Sequence, residues 1–259
     1  MATPTSVRFL EGQLRVYRRT WRGSVITTFI NPVFFLTAMG LGLGSLVDEG
    51  TGSATIEGLA YVTFLAPGLM AATTMQTGAG DSSWPVMAGI KWIRNYEAAM
   101  STPLRVNDLV LGHLGFVALR VTFTGAVYAA VMIALASVSV GGAALAVVPA
   151  ALTGMAFGAV VMAYTTMLDG PEGLSSLFRF AIVPLFLFSG TFFPVSQLPD
   201  WMEPLAYATP LWHGVELTRA AALSSDTTIP AVLSVLYLGV WFVAGTVLAV
   251  RGLRKRMVI

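Results

Sequence analysis

A chain of 259 residues with 56% hydrophobic and only 11% charged side chains is not composed like a soluble domain, which carries about a quarter charged residues. Its mean hydropathy is +0.75 and its isoelectric point is near 9.1. The formal net charge is only +2, so a basic nucleic-acid-binding surface is excluded, and the absence of cysteine excludes disulfides, a thiolate nucleophile and cysteine-ligated metal.

The chain opens on an amphipathic stretch. Val7, Leu10, Leu14, Tyr17 and Trp21 recur at helical spacing, with Arg8, Glu11, Arg15, Arg18, Arg19 and Arg22 on the other faces. Residues 1–24 are therefore expected to form an interfacial helix along one membrane leaflet. It either anchors and orients the chain, or touches a cytoplasmic partner and passes its motion to the first span. The following apolar run is too long for a cleaved signal, and the basic region before it is a whole helix long.

Residues 25–259 read as one membrane domain of six spans, at 25–47, 59–77, 109–138, 143–167, 174–193 and 229–250. The fifth is interrupted by Arg179 and Pro184. Basic residues gather at both ends: five arginines before the first span, and Arg251, Arg254, Lys255 and Arg256 after the last. The loop 91–105 adds Lys91, Arg94 and Arg105, whereas the opposite loops carry Asp48, Glu49, Glu57, Asp200, Glu203, Glu216 and Asp226 against Arg219. This asymmetry places both termini and the 91–105 loop in the cytoplasm and the chain in the plasma membrane.

Gly40-x-x-x-Gly44 and Gly154-x-x-x-Gly158 permit close helix approach, by default within one subunit and alternatively between two. Gly80-Asp81-Ser82-Ser83 reads as a turn leaving the second span. In the loop after it, Ile90, Ile93, Glu97 and Met100 share one helical face. Trp92, Tyr96 and Ala99 form a second, with Lys91 and Arg94 between them. Pro103 ends this helix, and Asn107-Asp108 can cap the next. It either rests in the interface or docks a soluble protein. Arg120, within an apolar run, either snorkels to the inner boundary or meets an anionic headgroup in a cavity.

Before the last span, Pro194, Pro199, Pro204 and Pro210 break an aromatic-rich stretch that is too apolar for an ordinary loop. Non-helical backbone cannot face lipid, so this stretch sits at the membrane surface or re-enters shielded by other helices. The expectation is a re-entrant helical hairpin over 194–212 at the outer leaflet. Phe192, Phe193, Pro194, Trp201, Trp212 and His213 would form an outer gate; the alternative is a loop buried for stability.

Several chemistries have no residues to carry them. Neither Lys91 nor Lys255 follows a glycine, so no phosphate-binding G-K-[ST] loop exists. His113 and His213 are isolated, with no metal-ligand spacing, and each is expected to be a hydrogen-bonded structural residue. No Asp or Glu falls near the centre of a span, which disfavours ion coupling.

Two segments resemble one family. Tyr96-Glu97-Ala98-Ala99-Met100-Ser101-Thr102-Pro103-Leu104, followed by Asp108 and Gly112, is similar to the first inner loop of ABC-2 type transporter permeases, in the branch of nodulation-factor and daunorubicin-type exporters. Ser189-Gly190-Thr191-Phe192-Phe193-Pro194, then Leu198-Pro199, Trp201, Pro204-Leu205 and Pro210-Leu211-Trp212-His213-Gly214, resembles that family's segment around the fifth span, and Pro67-Gly68 also fits. The resemblance implies an all-α polytopic fold of six transmembrane helices. It implies two permease subunits paired in a homo- or heterodimer, and a separate ATPase subunit that holds ATP and magnesium. It assigns Ile90, Lys91, Ile93, Arg94, Tyr96, Glu97 and Met100 to coupling with that subunit, and the Leu10, Leu14, Tyr17 and Trp21 helix to the same task. The expected function is outward movement of an amphiphile such as a lipid-linked glycan, glycolipid or hydrophobic drug. A lipid-modifying membrane enzyme or an ion-coupled carrier are the alternatives.

Overall fold

The computed structural model describes residues 5–38 and 59–257. The end of the expected first span and its Gly40-x-x-x-Gly44 motif lie outside them. The described backbone is helical, which apolar length and scarce charge favour once backbone groups must be satisfied without water.

Helix α1, Thr5–Thr37, runs unbroken for 33 residues. No break separates the amphipathic stretch from the first span. Helix α1 runs alongside α5, Val106–Leu135, in the same direction. A side chain at Gly112 would collide with the Ser6 carbonyl and Phe9, and Leu10 approaches Gly115. Tyr17 meets Phe116 edge-on at 5.7 Å between centroids. Near the other end, Leu36 is buried in one cluster with Tyr128 and Met132. Two glycines on one face of α5 let the rod settle lengthwise, so packing rather than amphipathicity sets its direction.

The centre of the bundle is α2, Tyr61–Asp81, against α6, Val140–Met167. Gly78 lies where a Cβ would strike the Gly154 carbonyl, and a Cβ on Gly154 would come within 2.7 Å of the Thr74 carbonyl. Thr74 Oγ1 donates to the Ala150 carbonyl at 2.7 Å, closing the same seam. Gly154-x-x-x-Gly158 thus serves packing within the chain. Ser139 caps α6, its hydroxyl accepting from the Gly142 amide at 3.1 Å. At α5 the cap differs from expectation: Asp108, from the third helical position, accepts from the Arg105 amide at 3.1 Å.

Between α2 and α5 lie α3, Trp84–Met87, a π-helical turn, Ala88–Trp92, and α4, Asn95–Met100. After α6 come α7, Glu172–Leu177, a second π turn, Phe178–Ile182, and α8, Val183–Phe188. The expected fifth span, 174–193, is therefore helical only to residue 188 and carries a π turn at Arg179. Beyond it are a 3₁₀ turn, Val195–Gln197, and α9, Glu203–Tyr207. Helix α10, Pro210–Leu223, and α11, Ala231–Met257, complete the order. Among the described residues, α5, α6 and α11 are long and apolar enough to cross a membrane.

Phe9, Tyr96, Val106, Leu253 and Met257 share one cluster, so both described ends of the chain meet at one end of the bundle, called proximal below. Leu36, Tyr61, Val138, Ala143 and Ala222 pack together at the opposite, distal end.

The glycine seam generates a direct expectation. Gly154→Ala should destabilise the bundle by about 1–3 kcal/mol through overpacking. Gly141→Ala, where nothing lies within 4 Å, should be neutral. Thermal unfolding of the detergent-solubilised chain, read by fluorescence-detected gel filtration, checks both.

Candidate functional site

At the proximal end the 90–100 segment is not one amphipathic helix. The π turn adds residues to a helical turn, and Arg94 then adopts a left-handed conformation with φ 55° and ψ 25°. Both shift the phase of every side chain after them. Ile90 and Tyr96, expected on a docking face, are instead buried at 5% and 2% exposure. Lys91, Trp92, Ile93, Arg94, Asn95, Glu97 and Ala98 are left uncovered, while Ala99 and Met100 are half-buried.

The buried side of this segment is a polar knot. His113 Nδ1, on α5, lies 2.9 Å from Gln13 Nε2 on α1 and 3.3 Å from the Tyr96 hydroxyl. The Gln13 amide nitrogen can only donate, which makes Nδ1 the acceptor. The Tyr96 ring meets Phe9 edge-on at 5.9 Å. Burial pushes the Tyr96 phenol above its ordinary pKa, so it stays a neutral donor. One tyrosine thus ties the 90–100 segment to α1 and α5. His113 is the hydrogen-bonded residue that was expected, but Gln13 was missed, because a glutamine at a distance of 100 residues gives no pattern. Beside the knot, a cleft of about 550 Å³ runs between α1 and the segment, lined by Arg8, Phe9, Gln13, Ile93, Asn95 and Thr102.

Of the helix residues expected to work with it, Leu10 turns toward α5, whereas Leu14 and Trp21 are exposed beside Tyr17. Tyr17 has a further role. Its hydroxyl accepts a hydrogen bond from Arg120 Nη1 at 2.5 Å, and Arg120 Nε donates to Asp81 Oδ2 at 3.1 Å. The two charged side chains are only 14% and 20% exposed. Arg120 is thus paired inside the bundle: it joins α1, α2 and α5, with Asp81 as counter-charge at the proximal end of α2. The turn was expected at Asp81, and the helix does end there. Its charge partner lies 39 residues on and is set only by packing.

The residues expected as a distal gate fall into separate groups. Phe192 packs edge-on against Phe186 at 5.1 Å and beside Phe35 at 5.9 Å. Phe193 is half-buried and Pro194 buried. Trp201 stands apart at 70% exposure. Trp212 and His213 lie in the first turn of α10, a 14-residue helix that continues to Leu223, and are buried at 4% and 7%. Trp212 meets the Tyr207 ring edge-on at 4.8 Å, and His213 Nδ1 lies 3.0 Å from the Ser234 hydroxyl on α11. The Tyr207 hydroxyl donates to Glu203 at 2.8 Å. That bond, with some burial, holds its pKa above the ordinary value. The Thr209 hydroxyl caps α10 by accepting from the Trp212 amide at 3.3 Å.

Helix α10 is the distal element that the sequence concealed. Gly214 abuts Thr153, halfway along α6, and Ala222 abuts Gly142 at the distal start of α6. The helix thus covers only the distal half of α6. Arg219 braces it: Nη2 donates to the Gly190 carbonyl at 2.9 Å, and the guanidinium lies 3.9 Å over the Phe64 ring. Among the described residues no group of three or more His, Asp or Glu converges as a metal site.

The sequence matches the ABC-2 type transporter family over residues 8–223. It is 31% identical over 217 residues to Nodulation protein J of Sinorhizobium fredii, covering 81% of this chain and 80% of that one. Nodulation protein J of Rhizobium leguminosarum bv. viciae is 26% identical over 254 residues, 94% of each chain. The inner membrane transport permease YadH of Escherichia coli is 22% identical over 232 residues, 90% of this chain and 88% of that one.

The Arg120–Asp81 pair predicts a specific pattern of stability. Arg120→Met leaves a half-buried carboxylate without its cation and should lower the melting temperature more than the double variant Arg120→Met/Asp81→Leu. The coupling energy should be on the order of 1 kcal/mol in a double-mutant cycle.

Proposed function

The chain belongs to the ABC-2 type transporter family and is the membrane permease subunit of an ATP-binding-cassette exporter, and from that premise we propose that it moves an amphiphile outward across the plasma membrane. ATP and magnesium bind a separate ATPase subunit, and two permease subunits, identical or related, form the working pair. The proximal end is cytoplasmic, following the cluster of lysines and arginines at both termini and in the 91–105 loop. Six spans thread the membrane, the fifth ending early beside α10.

The observation that carries this reading is the construction of the proximal end. Lys91, Trp92, Ile93, Arg94 and Glu97 project from the bundle, and the cleft between them and α1 leaves room for a docking element. Beneath them, Tyr96 is bonded to His113 and packed on Phe9. A push on the exposed side is transmitted to α1 and α5 through a hydrogen bond and close ring contacts rather than through a flexible loop. Glu97, the acid within the 90–100 segment, suits a basic or hydrogen-bonding group on the ATPase subunit.

At the distal end, α10 re-enters to half depth and, with the chain from Gly190 to Pro194, closes the exit. Phe193 is the residue there whose removal leaves the polar braces intact. Trp212 is too deeply packed to act as a gate side chain, and its truncation would cost about 3–5 kcal/mol of packing.

Two measurements test the reading. The chain has no native cysteine, so Ser225→Cys and Ser101→Cys report sidedness directly. A membrane-impermeant thiol reagent should label Ser225→Cys in intact cells and Ser101→Cys only after permeabilisation; the reverse pattern overturns the topology. Glu97→Arg should keep the melting temperature of the permease yet weaken ATPase association, or abolish substrate-stimulated hydrolysis in the assembled complex. Unchanged association and stimulation would remove Glu97 from the coupling face.

A further inference from the structure

Two cavities meet at Arg120. One is an apolar groove of about 390 Å³ between α1 and α5, walled by Leu14, Trp21, Phe116, Leu119 and Phe123. The other is a smaller polar cleft of about 180 Å³ among α1, α2 and α5, lined by Thr73, Gln76, Asp81 and Thr124. Arg120 lines both. We propose that this junction is the loading site for a single-chain amphiphile with a hydroxylated, glycosyl-type headgroup: the alkyl chain lies in the groove and the headgroup in the cleft. The inference rests on the reading of the chain as an amphiphile permease and gives that activity a location.

The hydrogen-bonding capacity left over at the junction carries the assignment. Thr124 Oγ1 is buried and has no partner. Leaving such a hydroxyl unsatisfied is costly, and most buried hydroxyls in folded proteins are bonded. Arg120 uses Nε on Asp81 and Nη1 on Tyr17, while no acceptor among the described residues meets Nη2. The second Asp81 oxygen is also uncommitted, and the Gln76 amide is exposed into the cleft. Thr28 and Thr77, by contrast, donate to carbonyls of their own helices, Ser24 and Thr73, and have no donor left.

The spare groups are donors on Arg120, Thr124 and Gln76, with acceptors on Asp81 and Gln76. Asp81 offsets the charge of Arg120, so the cleft does not single out an anion. Interleaved donors and acceptors around a neutral centre fit hydroxyl groups, which both donate and accept. The flanking groove offers no polar side chain beyond Tyr17 and Arg120, as an alkyl chain requires. Position agrees: Tyr17 and Asp81 place the junction toward the proximal end, where a substrate drawn from the inner leaflet arrives.

The test uses the full chain in phosphatidylcholine nanodiscs and dodecyl maltoside bearing a photoreactive diazirine at the end of its alkyl chain. Labelling should fall on peptides containing residues 14–21 and 116–123. Unlabelled dodecyl maltoside should compete at a concentration at least about tenfold below that of dodecyl phosphocholine, as the loss of more than one hydrogen bond implies. Thr124→Val and Gln76→Leu should each weaken labelling about 2- to 10-fold. Thr124→Val removes a hydroxyl with no partner to lose, so the melting temperature should hold; if it falls, the exposed Gln76→Leu variant decides alone. Equal competition by both headgroups, or labelling unaffected by the deciding variant, overturns the site and leaves the groove coated by ordinary lipid. Spontaneous Leu119→Cys disulfide crosslinking between two copies would also overturn it, making the groove a subunit seam. Substrate-stimulated ATP hydrolysis in the assembled complex is read separately, so loss of this site and loss of the exporter function are distinguishable.

Discussion

The close approach of α2 to α6 is the constraint on which the remaining architecture depends. Gly78 and Gly154 bring the two backbones together, and the Thr74 hydroxyl bonds across the seam to the Ala150 carbonyl. In a lipid-like surrounding there is little hydrophobic gain from bringing two apolar helices together, so close packing and hydrogen bonds across the seam must supply the attraction. With α2 and α6 fixed, the other elements take positions around them. α5 flanks both and α11 lies along α6, while α10 fills the distal half of the space beside α2 and α6. The helices that bear the proximal and distal residues pack around this pair.

Charge is the second constraint, and each of three arginines meets it in a different way. An arginine taken into the bundle without a partner is costly, because its charge loses water and gains nothing in return. Arg120 is offset by Asp81 and a tyrosine hydroxyl. Arg219 is held by backbone carbonyls and an aromatic face. Arg256, at the proximal end of α11, donates to the Thr166 carbonyl at 3.1 Å and to Asp169 at 2.8 Å. Each links elements far apart in the chain, so compensation of charge also fixes which helices touch. Arg120 fastens α1 to α2 and α5, Arg219 fastens α10 to α2 and to the backbone at Gly190, and Arg256 fastens α11 to the end of α6. The same residues are therefore staples and, at Arg120, part of a cavity wall.

The proximal end shows how a regular helical pattern can mislead. A helix read through residues 90–100 places Tyr96 beside Trp92 on one stripe. In the structure the π turn and the left-handed Arg94 rotate Tyr96 inward while Trp92 and Ile93 stay outside. The break makes the segment two-sided: a polar, partly aromatic face outside and a hydrogen-bonded anchor inside. A uniform amphipathic helix would slide over the bundle. This one is pinned by a tyrosine whose hydroxyl bonds His113 and whose ring packs on Phe9.

The sequence by itself determined the chemistry of the surroundings. Low charge and long apolar runs required helices, and the two family motifs, at 96–112 and 189–214, identified the kind of permease. Glycine spacing in α6 marked a close contact, because a missing side chain is visible in the sequence. Tertiary structure alone decided where the partners lie. Asp81 looked like a turn residue until packing set it beside Arg120, and Gln13 had no pattern until α1 ran along α5. Trp212 and His213 were expected at the end of a short helical hairpin, and the Thr209 cap and the Thr153 contact show that they begin a longer buried helix. Helical periodicity reports which residues share a face only while the backbone keeps its phase and the neighbouring helix is known; a π turn removes the first condition, and a single sequence does not supply the second.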